Sequence, residues 1–526
     1  MMKKLKPMRL SIKTVLLALF TTVISISFAA MTGAYAADYE QAWDALVRKH
    51  YGLPEIRPLP VSDEEGIREG DWFGLVHKYD NEFARSADGS DSELSLDMLI
   101  DWFTGMESNT LSILVSRAFM NNRDLASARA RAIEARAALG ISRAAILPWL
   151  DNTNTWTYYQ ASNNSAQRGV QTETIKLGID ASWEIDLFGG PGLRIEAAEA
   201  NLESSYAAMH AVWVTLSAET ALNYVSYCTL RERLNIAERN LALQEESLSL
   251  LTSQYEAGLA DSLAMNQARY TIEQTRASIP QIKVSMENVL NALAILTGEV
   301  PGSLEHLLRE RPDHPRLFKD AEFTGIPANT LRQRPDVRAA ERALAAQIAL
   351  RRASERDLLP RFFLFGSIGL ETLGGSLFSG DSVGFAFGPR ISLPVFHGGA
   401  IRRNIQVQTA REEQLAAAYE GTVLAAVAEV RNALAANTQE AERNRSLRAG
   451  VEAAYAAMEI ANDKYINGLS DYYNVIGAQT ALLSLEDALV VSDGQMTGNV
   501  IRIFKSLGGG WQPITEEYEA ETAGEK

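Results

Sequence analysis

The sequence predicts an α+β fold in which a unit of long helices and one β-hairpin occurs twice. Three observations carry this expectation. Two helix-forming stretches, about 190–257 and 400–467, with no proline beyond Pro191 at the first one's start, are far longer than a globular core requires. Both stop at the same signal, SQYEAGLADSL at 253–263 and KYINGLSDYY at 464–473. Residues 175–187 alternate strictly between apolar and polar side chains.

The stop signals align pair by pair: Tyr255 with Tyr465, Gly258 with Gly468, Leu259 with Leu469 and Asp261 with Asp471, each 210 positions apart. Upstream, Asp124 aligns with Asp336 and Leu147-Pro148 with Leu359-Pro360, and downstream Gly298 aligns with Gly508. A repeat of about 190 residues signifies a duplicated subdomain rather than a solenoid. Each copy opens with a helical segment, about 123–147 and 335–359, which ends at Leu-Pro because proline cannot continue a helix. A hairpin follows, then the long helix, the Gly-Leu-x-Asp break and a returning helix, about 262–297 and 472–507. At ~1.5 Å per residue, each long helix would reach about 100 Å. Leu234, Leu241, Leu248 and Tyr255 recur at coiled-coil spacing in the first, as do Val451, Met458 and Tyr465 in the second.

Residues 1–36 read as a signal peptide, with Lys3, Lys4, Lys6, Arg9 and Lys13 before an apolar run and Ala34-Tyr35-Ala36 at its end. Loss of those five basic residues takes the net charge of −16 to about −21, which excludes nucleic acid as a partner. Beyond this segment no apolar run of about 18 residues is expected, so membrane insertion would have to use strands. The lone Cys228 allows no internal disulfide and reads as a small buried apolar residue. The six histidines are scattered, and no nucleophile elbow, phosphate loop or metal-ligand spacing occurs, so neither enzyme activity, nor a cofactor, nor a metal site is expected.

In the hairpin strand, Ile175, Leu177, Ile179 and Trp183 would face lipid, and Lys176, Asp180, Glu184 and Asp186 a lumen. In the second hairpin Phe385 and Phe387 belong to the lipid-facing set. A sheet resting on a soluble core would alternate as well. Four strands cannot close a barrel, however, and an open edge is not tolerated in lipid, so several chains must contribute; three would supply twelve strands.

Four motifs then fall in a distinctive order: LRQRPDVRAAE at 331–341, WEIDLFGG at 183–190, ISLPVFHGG at 391–399 and LGGGW at 507–511. With the paired helix breaks they resemble the TolC-like outer membrane efflux proteins, closest to the OprM/NodT-like branch, over about residues 98–511. The resemblance implies a homotrimer in the outer membrane of a Gram-negative bacterium, its 12-stranded transmembrane β-barrel continuous with a periplasmic α-helical barrel. It implies passive export of small molecules delivered by an inner-membrane transporter, of the resistance-nodulation-division type, through a periplasmic adaptor. The helix breaks would form the periplasmic tip, where Tyr255, Gly258, Leu259, Asp261, Tyr465, Gly468, Leu469, Asp471 and Asn474 gate the duct and meet the adaptor. The expected organisation is a signal peptide at 1–36, an N-terminal periplasmic segment at 37–97, repeats at 98–299 and 331–511, an equatorial linker at 300–330 and an acidic tail at 512–526. Unlike many relatives, the chain has no cysteine at the cleavage site, and Ala264 and Asn474 stand where an acid often follows the tip glycine. A conduit for type I protein secretion and a non-conducting envelope tether are the alternative readings.

Overall fold

The computed structural model describes Met106, residues 108–258, 261–310, Asp313, Pro315, 333–373 and 376–509. All of them lie in one compact unit spanning 75–526. The expected signal peptide, the 37–97 segment, the acidic tail, most of the linker and the tip residue Leu259 fall outside the described residues.

The first copy comprises α1 (Asn109–Asn121), α2 (Arg123–Ala144), β1 (Trp149–Gln160), β2 (Gln171–Ile185), α3 (Gly190–Glu256) and α4 (Ser262–Leu296). A short α5 (Glu305–Glu310) precedes the second copy: α6 (Pro335–Arg356), β3 (Arg361–Leu373), β4 (Val383–Ser392), α7 (Ala400–Ile466) and α8 (Tyr472–Ser506). Helices α3 and α7 each run 67 residues, while α4 and α8 each run 35. Each long helix is therefore covered over one half by its returning helix and over the other by a 22-residue helix, α2 or α6, that leads into the sheet.

The strands form one antiparallel sheet in the order β1-β2-β3-β4. Register places Lys176 opposite Glu371, Asp180 opposite Asp151 and Ser367, and Glu184 opposite Phe363. The other face carries Ile175, Leu177, Ile179 and Trp183 across from Thr372, Leu370, Ile368 and Leu364, which continue into Val383, Phe385, Pro389 and Ile391 of β4. The two side-chain sets expected to point opposite ways thus lie on opposite faces of one sheet. Asp186 does not belong to either. It follows the end of β2, and its carboxylate accepts the backbone N–H groups of Gly189, at 2.6 Å, and Gly192, at 2.9 Å. Its charge satisfies the uncapped start of α3 rather than lining a strand face.

The main core gathers where the halves of each long helix meet. Leu111 and Leu114 of α1, Trp213, Tyr224 and Cys228 of α3, Leu293 of α4, Leu304 just before α5, Leu308 within it, Val430 of α7 and Phe504 of α8 pack together. Burial pushes the Cys228 thiol up to about 11, so it remains protonated and acts as a small apolar group. Asp313 is tied to this core by the Tyr224 hydroxyl, which donates to its Oδ1 at 2.6 Å, and by the Thr110 N–H, which donates to Oδ2 at 3.2 Å. Burial alone would raise the Asp313 carboxyl, but these hydrogen bonds outweigh it and hold it below the usual range.

Two expectations are corrected. On α3 the predicted seam residues Leu234, Leu241 and Leu248 are only half-buried and Tyr255 is exposed, whereas Ile236, Ala237, Asn240, Gln244 and Leu251 are buried. Two members of the true seam are polar, which moved the apolar heptad off it. The returning helix α8 is, by length and composition, apolar enough to cross a membrane, with a window of mean hydropathy 1.4, where none was expected. It starts at the tip turn and ends with Val500, Ile501, Ile503 and Phe504 in the core, while only 22% of its apolar window is buried within the chain.

His210 lies on α3 beside Arg338 of α6. Burial, followed by the Arg338 charge, lowers its pKa to about 4. Between pH 6.5 and about 4 the unfolded chain takes up a proton there that the folded chain refuses. Stability should therefore fall as pH falls through this window and level off below it, by roughly 2–3 kcal/mol. Thermal unfolding of His210→Gln at pH 7 and pH 4.5, compared with wild type, should show a flatter pH dependence; parallel curves would refute the assignment.

Candidate functional site: the helix-turn tip

Both long helices end in the same way. At the first break Ala257 N–H donates to the Ser253 carbonyl at 3.2 Å and Gly258 N–H to that of Tyr255 at 2.9 Å, with Gly258 at φ 76°. At the second, Gly468 N–H donates to the Tyr465 carbonyl at 2.9 Å and Leu469 N–H to that of Lys464 at 2.8 Å, with Gly468 at φ 70°. These are left-handed glycine caps, a conformation that a side chain resists. The chain then enters the returning helix through an aspartate at the N-cap.

The two aspartates differ in what they do. Asp261 accepts the Ala264 N–H at 2.8 Å, a structural cap. Asp471 makes no side-chain cap bond, and the Asn474 side chain instead donates to Ser470 Oγ at 2.8 Å. Of the pair, only the Asp471 carboxylate is uncommitted to its helix start.

The tyrosines differ too. The Tyr465 hydroxyl donates to Gln254 Oε1, joining α7 to α3, and its ring packs tilted, at 58° and 5.0 Å between centroids, on Tyr472. Both belong to a small apolar cluster with Leu251, Met265, Ala268, Val475 and Ile476, and burial raises both phenols. Tyr255 and Leu469 are exposed. Sequence reading missed Gln254 because its partner lies on the other copy, where no local pattern points.

Farther from the tip, the hairpins are clamped by ion pairs: Arg233 bidentate to Asp487, at 2.7 and 3.0 Å, and Arg239 to Glu486 at 3.1 Å, each from α3 to α8. The tip is thus two helical hairpins held side by side by one hydroxyl, one aromatic cluster and a short ladder of charges.

The outer membrane efflux protein family model matches residues 114–299 and 326–509, one segment in each copy of the unit. The chain belongs to the outer membrane efflux protein family. Outer membrane protein OprJ of Pseudomonas aeruginosa is 30% identical over 416 residues, covering 78% of this chain and 86% of OprJ. Toluene efflux pump outer membrane protein TtgF of Pseudomonas putida is 30% identical over 476 residues, covering 88% of this chain and 95% of TtgF. Among solved structures, the outer-membrane channel OprN superposes with a TM-score of 0.76 at 30% identity, covering 88% of this chain and 99% of OprN. As a member of this outer membrane efflux family, the protein is an outer-membrane channel of a tripartite efflux system, with a periplasmic extension. Family members are channels.

Proposed function

We propose that three copies of this chain close a 12-stranded β-barrel over a periplasmic α-helical barrel, and that the assembly is a passive duct without catalysis of its own. It exports small toxic molecules that an inner-membrane pump, of the resistance-nodulation-division type, passes through a periplasmic adaptor. The observation that carries this reading is the sheet. Among the described residues it has two unpaired edges, β1 and β4, and across β2, β3 and β4 its faces are sorted into an apolar side and a side bearing Lys176, Asp180, Glu184 and Glu371. In lipid such edges must be paired, and copies of the same sheet supply the pairing. Aromatic side chains on the apolar face near both ends of the sheet, Trp183 of β2 at one and Trp156 and Tyr158 of β1 at the other, match the belts expected at membrane interfaces. On α4, Leu263, Tyr270 and Val284 are about 60% exposed at heptad spacing, a seam suited to a neighbouring protomer.

In this reading Lys176, Asp180 and Glu184 line the lumen, the 331–511 and 98–299 repeats contribute equally to the wall, and the tip turns close it and meet the adaptor. The name of TtgF specifies toluene efflux, and an apolar or weakly polar toxic substrate is the class proposed here.

The test is chemical crosslinking of the detergent-extracted protein with planar-bilayer conductance in parallel. Trimers with small discrete openings are expected; monomers without conductance would discard the barrel. Replacing Tyr465 with Phe and Asp471 with Asn together removes the Gln254 bond and the uncommitted tip charge. This double change should raise mean conductance severalfold and admit vancomycin to cells, and unchanged values for both would remove these residues from the gate.

A further inference from the structure

All four junctions between sheet and helices lie at one end of the sheet: α2 into β1, β2 into α3, α6 into β3 and β4 into α7. Here the acidic chain becomes basic. Arg352 and Arg356 near the end of α6, and Arg402 and Arg403 at the start of α7, are all exposed. The two helices pack antiparallel, with Asn404 Nδ2 3.4 Å from Ser354 Oγ and Gln347 Nε2 2.8 Å from Gln408 Oε1, which places the two arginine pairs on neighbouring helices at the same end of the sheet. A Cβ on Gly190 would lie 3.5 Å from that of Arg356, so α3 begins against the same cluster.

Nearby arginines are neutralised within the chain. Arg143 pairs with Glu199, Arg351 with Glu355 and Glu412, and Arg194 and Arg361 share Asp357. Arg352, Arg356 and Arg402 have no acidic partner among the described residues, and Arg403 reaches only Gln406, at 2.8 Å. Their placement is locally unfavourable. Arg352 and Arg356 repel each other one helical turn apart, and Arg402 and Arg403 stand in a first turn that has no acid to offset the helix dipole. The acids at this junction, Glu355, Asp357 and Glu412, are engaged by Arg351, Arg194 and Arg361 instead.

Immediately before Arg402 the chain exposes Leu393, Val395 and Phe396, at 55%, 87% and 87%, and Leu187 is exposed at the corresponding junction of the first copy. These apolar residues continue the sheet's end toward the helices. An apolar rim followed within a turn by unpaired arginines has the layout of the acyl-to-headgroup boundary of a bilayer.

We propose that Arg352, Arg356, Arg402 and Arg403 form a collar that binds the phosphates of anionic phospholipids in the periplasmic leaflet of the outer membrane. The collar rests on the barrel reading above, since it takes the sheet to span the membrane and the junctions to mark its periplasmic face. The exposed rim commits the ligand to a lipid rather than to a free phosphate, because a soluble anion gains nothing from Leu393, Val395 and Phe396. In a trimer the twelve arginines would ring the barrel base and fix its depth and tilt in the bilayer.

The test is native mass spectrometry of the full-length, detergent-extracted protein titrated with palmitoyl-oleoyl phosphatidylglycerol, with the matched phosphatidylcholine, and with glycerol phosphate. Each arginine at an anionic surface is worth roughly fivefold in binding, so wild type should retain phosphatidylglycerol at least tenfold better than phosphatidylcholine. The Arg352→Gln, Arg356→Gln, Arg402→Gln, Arg403→Gln variant should reduce that preference below about twofold. Lysine at the same four positions should preserve most of it, and Arg269→Gln with Arg445→Gln, far from the sheet, should leave it intact. Should the fourfold glutamine variant not fold, Arg402→Gln with Arg403→Gln alone should lower the preference severalfold. A preference absent from wild type, or unchanged in the glutamine variants, would overturn the collar while trimers and conductance left the barrel standing. Binding of glycerol phosphate as strong as that of the lipid would overturn the lipid assignment. A chain that formed neither trimers nor membrane-inserted channels would overturn the barrel reading, and the collar with it.

Discussion

Gly298→Ala is expected to destabilise the protein by roughly 3 kcal/mol or more, the largest loss in a graded series of glycine substitutions. Gly298 ends α4 at φ 69°, and its neighbour Glu299 donates its N–H back to the Ala294 carbonyl at 2.8 Å. A Cβ there would stand 2.3 Å from the Asn121 carbonyl oxygen and 2.8 Å from its carbon. Backbone at the α1–α2 junction cannot step aside cheaply, because Asn122 donates to the Leu296 carbonyl at 3.0 Å and Arg117 pairs with Glu299 at 2.9 Å across the same contact. Gly508 occupies the equivalent place in the second copy at φ 73°, but its Cβ would meet Arg334 at 3.1 Å, so a loss nearer 2 kcal/mol is expected. Gly258 and Gly468 share the positive φ with nothing within 4 Å, and alanine there should cost only the strain, about 1 kcal/mol. Thermal unfolding of the purified variants should rank them in that order. If Gly258→Ala lowers the midpoint as much as Gly298→Ala, close approach is not what the core glycine serves.

The ends of these elements were legible in the sequence because each is marked by residues whose backbone chemistry is restrictive. Leu-Pro ends the helical segments, paired glycines start α3 and α7, and Gly-Leu-x-Asp reverses the chain. The face assignments of β2 were legible too, since period-two alternation over 175–185 has one pleated solution. What stayed hidden depended on partners distant in sequence. The coiled-coil seam of α3 was displaced because Asn240 and Gln244 fill buried positions that a hydrophobic pattern does not register. Asp186 carries the parity of a strand residue but answers to the amides of α3. Gln254 and Asp313 were not singled out, because each is defined by a tyrosine on another element. The unpaired character of Arg352, Arg356, Arg402 and Arg403 emerges only when the acids around them are seen to be engaged elsewhere.

Arg334→Ala should cost roughly 2–4 kcal/mol, far more than its counterpart in the first copy. Arg334 is buried at the start of α6, where Nη1 donates to the Ser506 carbonyl at 2.6 Å, Nη2 to Glu429 at 2.8 Å and Nε and Nη2 to Asp336 at 3.0 and 2.7 Å. Burial would lower its pKa, but the two carboxylates outweigh that and hold it fully charged. One guanidinium therefore fastens the ends of α6 and α8 to the middle of α7. In the first copy the same position is Asn122, whose side chain caps α2 at Leu125 and donates to the Leu296 carbonyl, the counterpart of Ser506. Duplication has preserved the link from helix start to carbonyl while changing its chemistry from a neutral amide to an ion cluster. Asn122→Ala should accordingly lose about 1 kcal/mol. The charge makes a further difference: Arg334→Ala leaves the Ser506 carbonyl without its donor and Asp336 without its cation, so Arg334→Ala with Asp336→Ala should lose less than the sum of the two single changes. Strict additivity in thermal unfolding would show that the cluster does not act as a unit and that α6 is held by packing alone.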